Sequence, residues 1–174
     1  MKRIKKIAFS GILVSLSVVV LFLGSIFEVL DLTVAAVASF ITLLAIIELG
    51  SYFPLLIYLA SSVLGILLLP NKYGALIYCL FYGFYPILKI KIEAKFKSKF
   101  LKISLKLLLF VISQIAIELL WIFLFSAIYI NEGIWLIAFS IILSVFTFIV
   151  FDMALSVLSR VYTLKWRKYI KKFL

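Results

Sequence analysis

Apolar residues in this chain run in long stretches, interrupted only by short segments bearing glycine, proline or charge. Neither the strict alternation of a half-buried strand nor the one-sided stripe of a water-facing helix dominates. The stretches are apolar nearly all round, the pattern of helices surrounded by lipid. A hydrocarbon core about 30 Å thick needs roughly 20 helical residues. Six segments of about that length are predicted, at 7–27, 32–49, 51–69, 74–90, 104–129 and 134–158. The expected fold is all-α: a polytopic six-transmembrane-helix bundle forming a single domain over 1–174.

Most of the breaks have clear chemistry. Between the third and fourth spans, Leu69-Pro-Asn-Lys-Tyr-Gly74 brackets two polar residues with proline and glycine, a turn signature. Asn131-Glu-Gly133 plays the same part between the fifth and sixth. The second and third spans are harder to separate, because 32–69 is almost continuously apolar and would run to about 57 Å as one helix. Glu48-Leu-Gly-Ser-Tyr52 followed by Pro54 supplies the one good turn, with glycine free to reverse the chain and proline suited to the next helix's first turn.

Composition fits this division. The chain is 67% hydrophobic and 14% charged, with a mean hydropathy of +1.31, leaving too few polar residues to cover a water-soluble globule. The opening Met1-Lys-Arg-Ile-Lys-Lys6 and its apolar continuation resemble a secretory signal. The apolar run is too long for one, however, and no small-residue cleavage site succeeds it, so it is read as a retained first helix.

Charge sets the expected orientation. Net charge is +11, from 18 Lys and Arg against 7 Asp and Glu. The cations lie in three blocks: the N-terminus, a connection over 89–106 and a tail over 159–174. Lys72 alone falls elsewhere. An even number of crossings puts all three blocks on one face, so the positive-inside rule predicts a multi-pass protein of the cell membrane with both termini in the cytoplasm. Apolar residues interleaved with the lysines of 89–106 suggest a helix lying in the headgroup layer. The basic face suits anionic lipid better than nucleic acid, because its charges flank membrane spans.

Several classes of chemistry drop out. There is no histidine and one cysteine, Cys79. A disulfide, a Cys/His zinc site and histidine-assisted nucleophilic catalysis are thereby excluded within one chain. No phosphate-cradling Gly-x-x-x-x-Gly-Lys loop is present. The chain is read as a non-enzyme without cofactor or metal; an intramembrane enzyme would rest on Glu118, Asp152 and tyrosines alone.

Polar groups at membrane depth carry the remaining interest, because their burial in lipid is costly. Gln114, Glu118 and Trp121 share one face of the fifth span at i, i+4 and i+7. Two readings stand: a ligand-binding stripe, or a buried carboxyl that holds helices together. Asn71 and Lys72 occupy the loop between the third and fourth spans, where Lys72 either attracts an anionic group on a substrate, pairs with Glu118 or Asp31, or is a solvated loop residue. Tyr78, Tyr82 and Tyr85 are spaced to share a face of the fourth span, as a stacking platform for a flat ligand, as an interfacial aromatic belt or as helix packing. Asp152, expected to pair with a basic residue near the cytoplasmic surface, is read as structural or as part of a partner interface, and Glu48 similarly, at an interfacial turn.

On the first span, Ala8, Gly11 and Ser15 fall at i, i+3 and i+7, and Gly11-x-x-x-Ser15 is a pair of small residues that lets another helix approach closely. The opening Lys5-Lys-Ile-Ala-Phe-Ser-Gly-Ile-Leu-Val-Ser15, together with the length and topology of the whole chain, resembles the substrate-binding S components of energy-coupling factor (ECF) transporters. That resemblance implies six helices, cytoplasmic termini and a ligand site near the outer side. It also implies that the small-x-x-x-small motif, usually Ala-x-x-x-Ala and here Gly11 with Ser15, contacts a scaffold transmembrane subunit driven by an ATPase pair. The expected function is capture of a vitamin or similar small metabolite for import, with Asn71, Lys72, Tyr78, Tyr82, Gln114, Glu118 and Trp121 as substrate candidates. The alternative is a non-transporting scaffold or regulator of envelope assembly.

Overall fold

The computed structural model describes residues 3–26, 31–50, 52–125 and 134–167, and among them every regular element is helical. Helix α1 covers Arg3–Ile26, α2 Asp31–Glu48, α3 Phe53–Leu68, α4 Lys72–Ile77, α5 Tyr85–Lys95, α6 Lys99–Phe125 and α7 Ile134–Val161. A π-helical turn, Tyr78–Tyr82, joins α4 to α5, and a second, Tyr162–Trp166, extends α7. Among the described residues five segments are long and apolar enough to cross a membrane: α1, α2, Lys72–Lys95, Lys99–Leu120 and Ile142–Lys165. The sixth apolar helix, α3, has 16 residues, about 24 Å of rise.

The break expected near Glu48 is present and depends on Gly50. Its φ is +57°, a left-handed conformation that glycine adopts without a Cβ penalty. Its N–H donates back to the Ala45 carbonyl at 3.3 Å, closing the end of α2. Pro54 then falls in the first turn of α3, where its missing N–H leaves no helical bond unmade.

Helices run alternately up and down, as their end contacts show. At one end the Lys6 ammonium donates to the Leu49 carbonyl at 3.3 Å, and the Tyr162 hydroxyl donates to the Glu48 carboxylate at 3.2 Å. This end also carries the α5–α6 connection and is called here the basic end. At the far end Asn71 meets Asp31. The expected headgroup-layer helix over 89–106 is not a separate element. Helix α5 continues to Lys95, a short break spans 96–98, and α6 begins at Lys99. The lysines extend the two spans because each outer turn can run past the apolar layer at no cost in backbone bonding.

The segment Lys72–Lys95 lies at the centre: 61% of its apolar window is buried, against 17–22% for α1, α6 and α7. Its core is aromatic. Phe81 packs against Tyr85 at 4.9 Å and Phe110 at 5.3 Å between ring centroids. Phe110 stacks on Phe148 at 4.7 Å, and Tyr82 meets Phe151 edge-on at 4.6 Å. A second apolar cluster (Leu13, Ile41, Ala45, Leu49, Phe53, Ile57) joins α1, α2 and α3 near the basic end. The outer faces are apolar too. On α7, Leu143, Phe146, Val150, Met153 and Val157 form an exposed stripe at helical spacing, a surface suited to lipid rather than water.

Candidate functional site

Two polar clusters occupy opposite ends of the central segment. At the far end Asp31, in the first turn of α2, is buried. The Asn71 amide donates to its carboxylate at 3.2 Å. The same side chain accepts from the Tyr73 N–H at 3.0 Å, capping α4. Gly74, expected as a turn residue, lies inside α4, where a Cβ would stand 2.7 Å from Asp31 Oδ1. Its missing side chain is what admits the carboxylate. Lys72 turns back to donate to the Leu69 carbonyl at 2.6 Å.

Of the remaining far-end candidates, Glu118 is exposed on α6 and Gln114, one turn earlier, is half-buried. Tyr73 lies within electrostatic reach of both Asp31 and Glu118, so Asn71, Lys72 and Glu118 belong to one end of the bundle. Trp121 is on α6, but its side chain lies outside the described residues, as do Glu28, Glu132 and the tail beyond Arg167.

The three tyrosines expected on one face are divided. The Tyr78–Tyr82 turn is wound π-fashion, with the Gly83 N–H donating to the Tyr78 carbonyl at 2.7 Å. Such a turn holds one residue more than an α turn and shifts the register of the helix beyond it. Tyr78 therefore reaches toward α2 and α3, its hydroxyl 2.9 Å from Ser61 Oγ and 3.3 Å from Thr42 Oγ1. Tyr82 packs on Phe151, and Tyr85 bonds Asp152. The Tyr58 hydroxyl steadies the turn by donating to the Cys79 carbonyl at 2.8 Å.

The second cluster, toward the basic end, joins α5, α6 and α7 through ions. Lys89 and Lys106 are buried, at 3% and 7% exposure. The Lys89 ammonium donates to the Asp152 carboxylate, to the Asp152 carbonyl at 2.6 Å and to Ser156 Oγ at 2.7 Å. Lys106 donates to Asp152 Oδ2 at 3.0 Å and to Glu93 Oε1 at 2.7 Å. The Tyr85 hydroxyl donates to Asp152 Oδ1 at 2.6 Å, and Lys89 lies 3.6 Å from Glu93. Two ammonium groups thus face two carboxylates, and the group is neutral as a whole. Each donor is satisfied inside the cluster, so its chemistry is that of a structural ion network.

The basic partner expected for Asp152 is present twice over. Charge counting places Lys89 and Lys106 with the surface lysines and does not single out Glu93. A signal exists in the spacing: Tyr85, Lys89 and Glu93 recur at i, i+4 and i+8, one face of a helix. Lys106 stands in the apolar run Ile103-Ser-Leu-Lys-Leu-Leu-Leu109. Among the described residues no three His, Cys, Asp or Glu side chains group as a metal site.

The fold and its sites define an all-helical protein whose helices are long and apolar enough for a bilayer. Compared with protein-family models, characterised proteins and solved structures, the chain matches none.

Proposed function

We propose that this chain crosses the cell membrane six times with both termini in the cytoplasm. We read it as the substrate-capturing subunit of an importer of the ECF type, taking up a vitamin or similar small metabolite. The observation that carries this reading is the free face of α1. Ala8, Gly11 and Ser15 lie on α1 with Gly11 fully open: a Cβ added there would meet nothing within 4 Å. Small side chains left uncovered by their own bundle suit close approach by a helix of another subunit, here the scaffold subunit with its ATPase pair. The far-end cluster supports capture from outside, because carboxylate, amide, ammonium and phenol groups gather there around Asp31, Asn71, Lys72, Tyr73 and Glu118.

Mass spectrometry of small molecules retained by the purified protein tests the reading, with a screen for a co-purifying scaffold and ATPase pair. A specifically retained metabolite, weakened by Glu118→Gln, supports it; no retained metabolite and no such complex overturns it. Gly11→Leu is expected to abolish uptake while sparing binding. In a Cys79→Ala background, a cysteine at 72 should react with an impermeant reagent on intact cells and one at 97 should not.

The second reading is a non-transporting envelope scaffold. It draws on the internal use of Asn71, Lys72 and Tyr78, whose polar atoms are taken up by the chain's own groups. Co-purification with envelope machinery, without a bound metabolite, selects it.

A further inference from the structure

Helix α5 has two working faces. Tyr85, Lys89 and Glu93 turn toward α6 and α7 and hold the ion network. Ile87, Ile90 and Lys91 line a different feature, a cleft of about 370 Å³ against the α2–α3 turn. Its other walls are Ile46, Gly50, Tyr52, Pro54 and Leu55. The volume falls within the roughly 300–1,000 Å³ of small-molecule sites. None of these residues belongs to the small-residue face of α1 or to the Glu118 end, so the cleft is independent of the function proposed above.

Its chemistry is amphipathic. The floor is aliphatic, with a lysine and a phenol at the rim. Lys91 is exposed one turn before the end of α5, and among the described residues it enters no ion pair. By contrast Lys89 and Lys106, on the same basic end, are already neutralised. Tyr52, which lines the same cleft, is 56% exposed. One wall, Leu55, is itself exposed and continues into an apolar face of α3 on which Leu56, Leu59 and Val63 are also exposed. An apolar face continuous with the cleft suits an acyl chain, which a soluble anion does not bring.

We propose that this cleft binds one anionic phospholipid, with an acyl chain against Ile46, Leu55, Ile87 and Ile90 and the phosphate held by Lys91 and Tyr52. A lysine near the membrane surface contributes on the order of fivefold to attraction of an anionic headgroup, and its aliphatic stem lets the ammonium reach headgroup level.

Native mass spectrometry of the full chain in detergent, titrated with phosphatidylglycerol or phosphatidylcholine, tests this. One phosphatidylglycerol should bind in preference to phosphatidylcholine. Lys91→Glu should remove at least about fivefold of that preference, and Leu55→Trp, which fills the cleft from its exposed side, should lower retention of both lipids. Lys97→Glu, in the break between α5 and α6, should leave both unchanged, and millimolar inorganic phosphate should not compete. Equal loss in the Lys91 and Lys97 variants would reduce the effect to diffuse basic charge and overturn the site. Wild-type retention by Leu55→Trp, or displacement by free phosphate, overturns it equally.

Discussion

The ammonium of Lys89 on α5 is held by the carboxylate of Asp152 on α7, 63 positions further along the chain. It also donates to the Asp152 backbone carbonyl at 2.6 Å. Two elements remote in sequence are thereby fixed in both rotation and height. The pair does not stand alone, since Lys106 adds a second cation on the other carboxylate oxygen and Glu93 a second anion. In an apolar surrounding the quantity that matters is net charge left unbalanced, because each uncompensated ion carries a desolvation cost of several kcal/mol.

That parity orders the variants. Asp152→Leu leaves Lys89 and Lys106 facing Glu93 alone and should cost about 3–5 kcal/mol of stability. Lys89→Met should cost less, because Asp152 keeps Lys106 and Tyr85. Combining the two leaves the balanced pair Lys106–Glu93, so the double variant should be more stable than Asp152→Leu by itself. Unfolding in detergent micelles monitored by circular dichroism reads this coupling. Additive losses would show that the four groups do not act as a unit.

Gly74 and Gly11 make opposite forecasts from the same substitution. A Cβ at Gly74 would press on Asp31 Oδ1 at 2.7 Å, and overpacking of this kind costs about 1–3 kcal/mol. Gly11→Ala meets no atom within 4 Å and should leave thermal stability unchanged or slightly raised, since alanine favours helix. If the Asp31 contact is the cause at Gly74, Gly74→Ala should add little to the loss already produced by Asp31→Ala. A full additional loss would place the strain elsewhere.

Gly50 is the hinge of the α2–α3 reversal, and its φ of +57° sets a modest but definite cost. Gly50→Ala should destabilise by about 1 kcal/mol, and Gly50→Asn by less, because asparagine tolerates the left-handed region better. Equal melting temperatures for wild type and Gly50→Ala would show that the turn relaxes to another conformation.

The helical class, the long apolar segments and the turns between α2 and α3 and before α4 are legible in the sequence because each obeys local rules: run length, glycine at the α2–α3 reversal, asparagine and proline before α4. Glu48 and Asp152 are also recognisable as structural carboxylates, which they are in their bonds to Tyr162 and to the lysines. Less legible is which lysines face inward. Lys89 and Lys106 sit at the edges of a basic block, and charge counting assigns such residues to the surface. The spacing of Lys89 with Tyr85 and Glu93, and the apolar run around Lys106, mark them out from the surface lysines, but the carboxylate they meet, Asp152, lies 63 and 46 positions away and is found only in the folded chain. The π-helical turn at Tyr78–Tyr82 is likewise hidden, because nothing in Tyr-Cys-Leu-Phe-Tyr departs from an ordinary helix. Its bond from Tyr58 comes from another span, and the expected tyrosine face is lost with the register shift.

Tyr78 offers the sharpest separation of packing from ligand binding. Its ring is fully buried, and its hydroxyl lies between Ser61 and Thr42. The Ser61 proton is directed to its own helix, toward the Ile57 and Tyr58 carbonyls at 2.8 and 3.0 Å. Ser61 Oγ therefore accepts from Tyr78, and Thr42 is left to donate to the phenol. Tyr78→Phe removes both bonds without changing shape, and should lower stability by about 1–2 kcal/mol. Ser61→Ala should remove part of the same energy, so the double variant should fall short of the sum. Retention of any captured metabolite should be unaffected, because the phenol is committed to helix packing. A Tyr78→Phe protein that keeps its melting temperature but loses the metabolite would instead return this residue to the binding site.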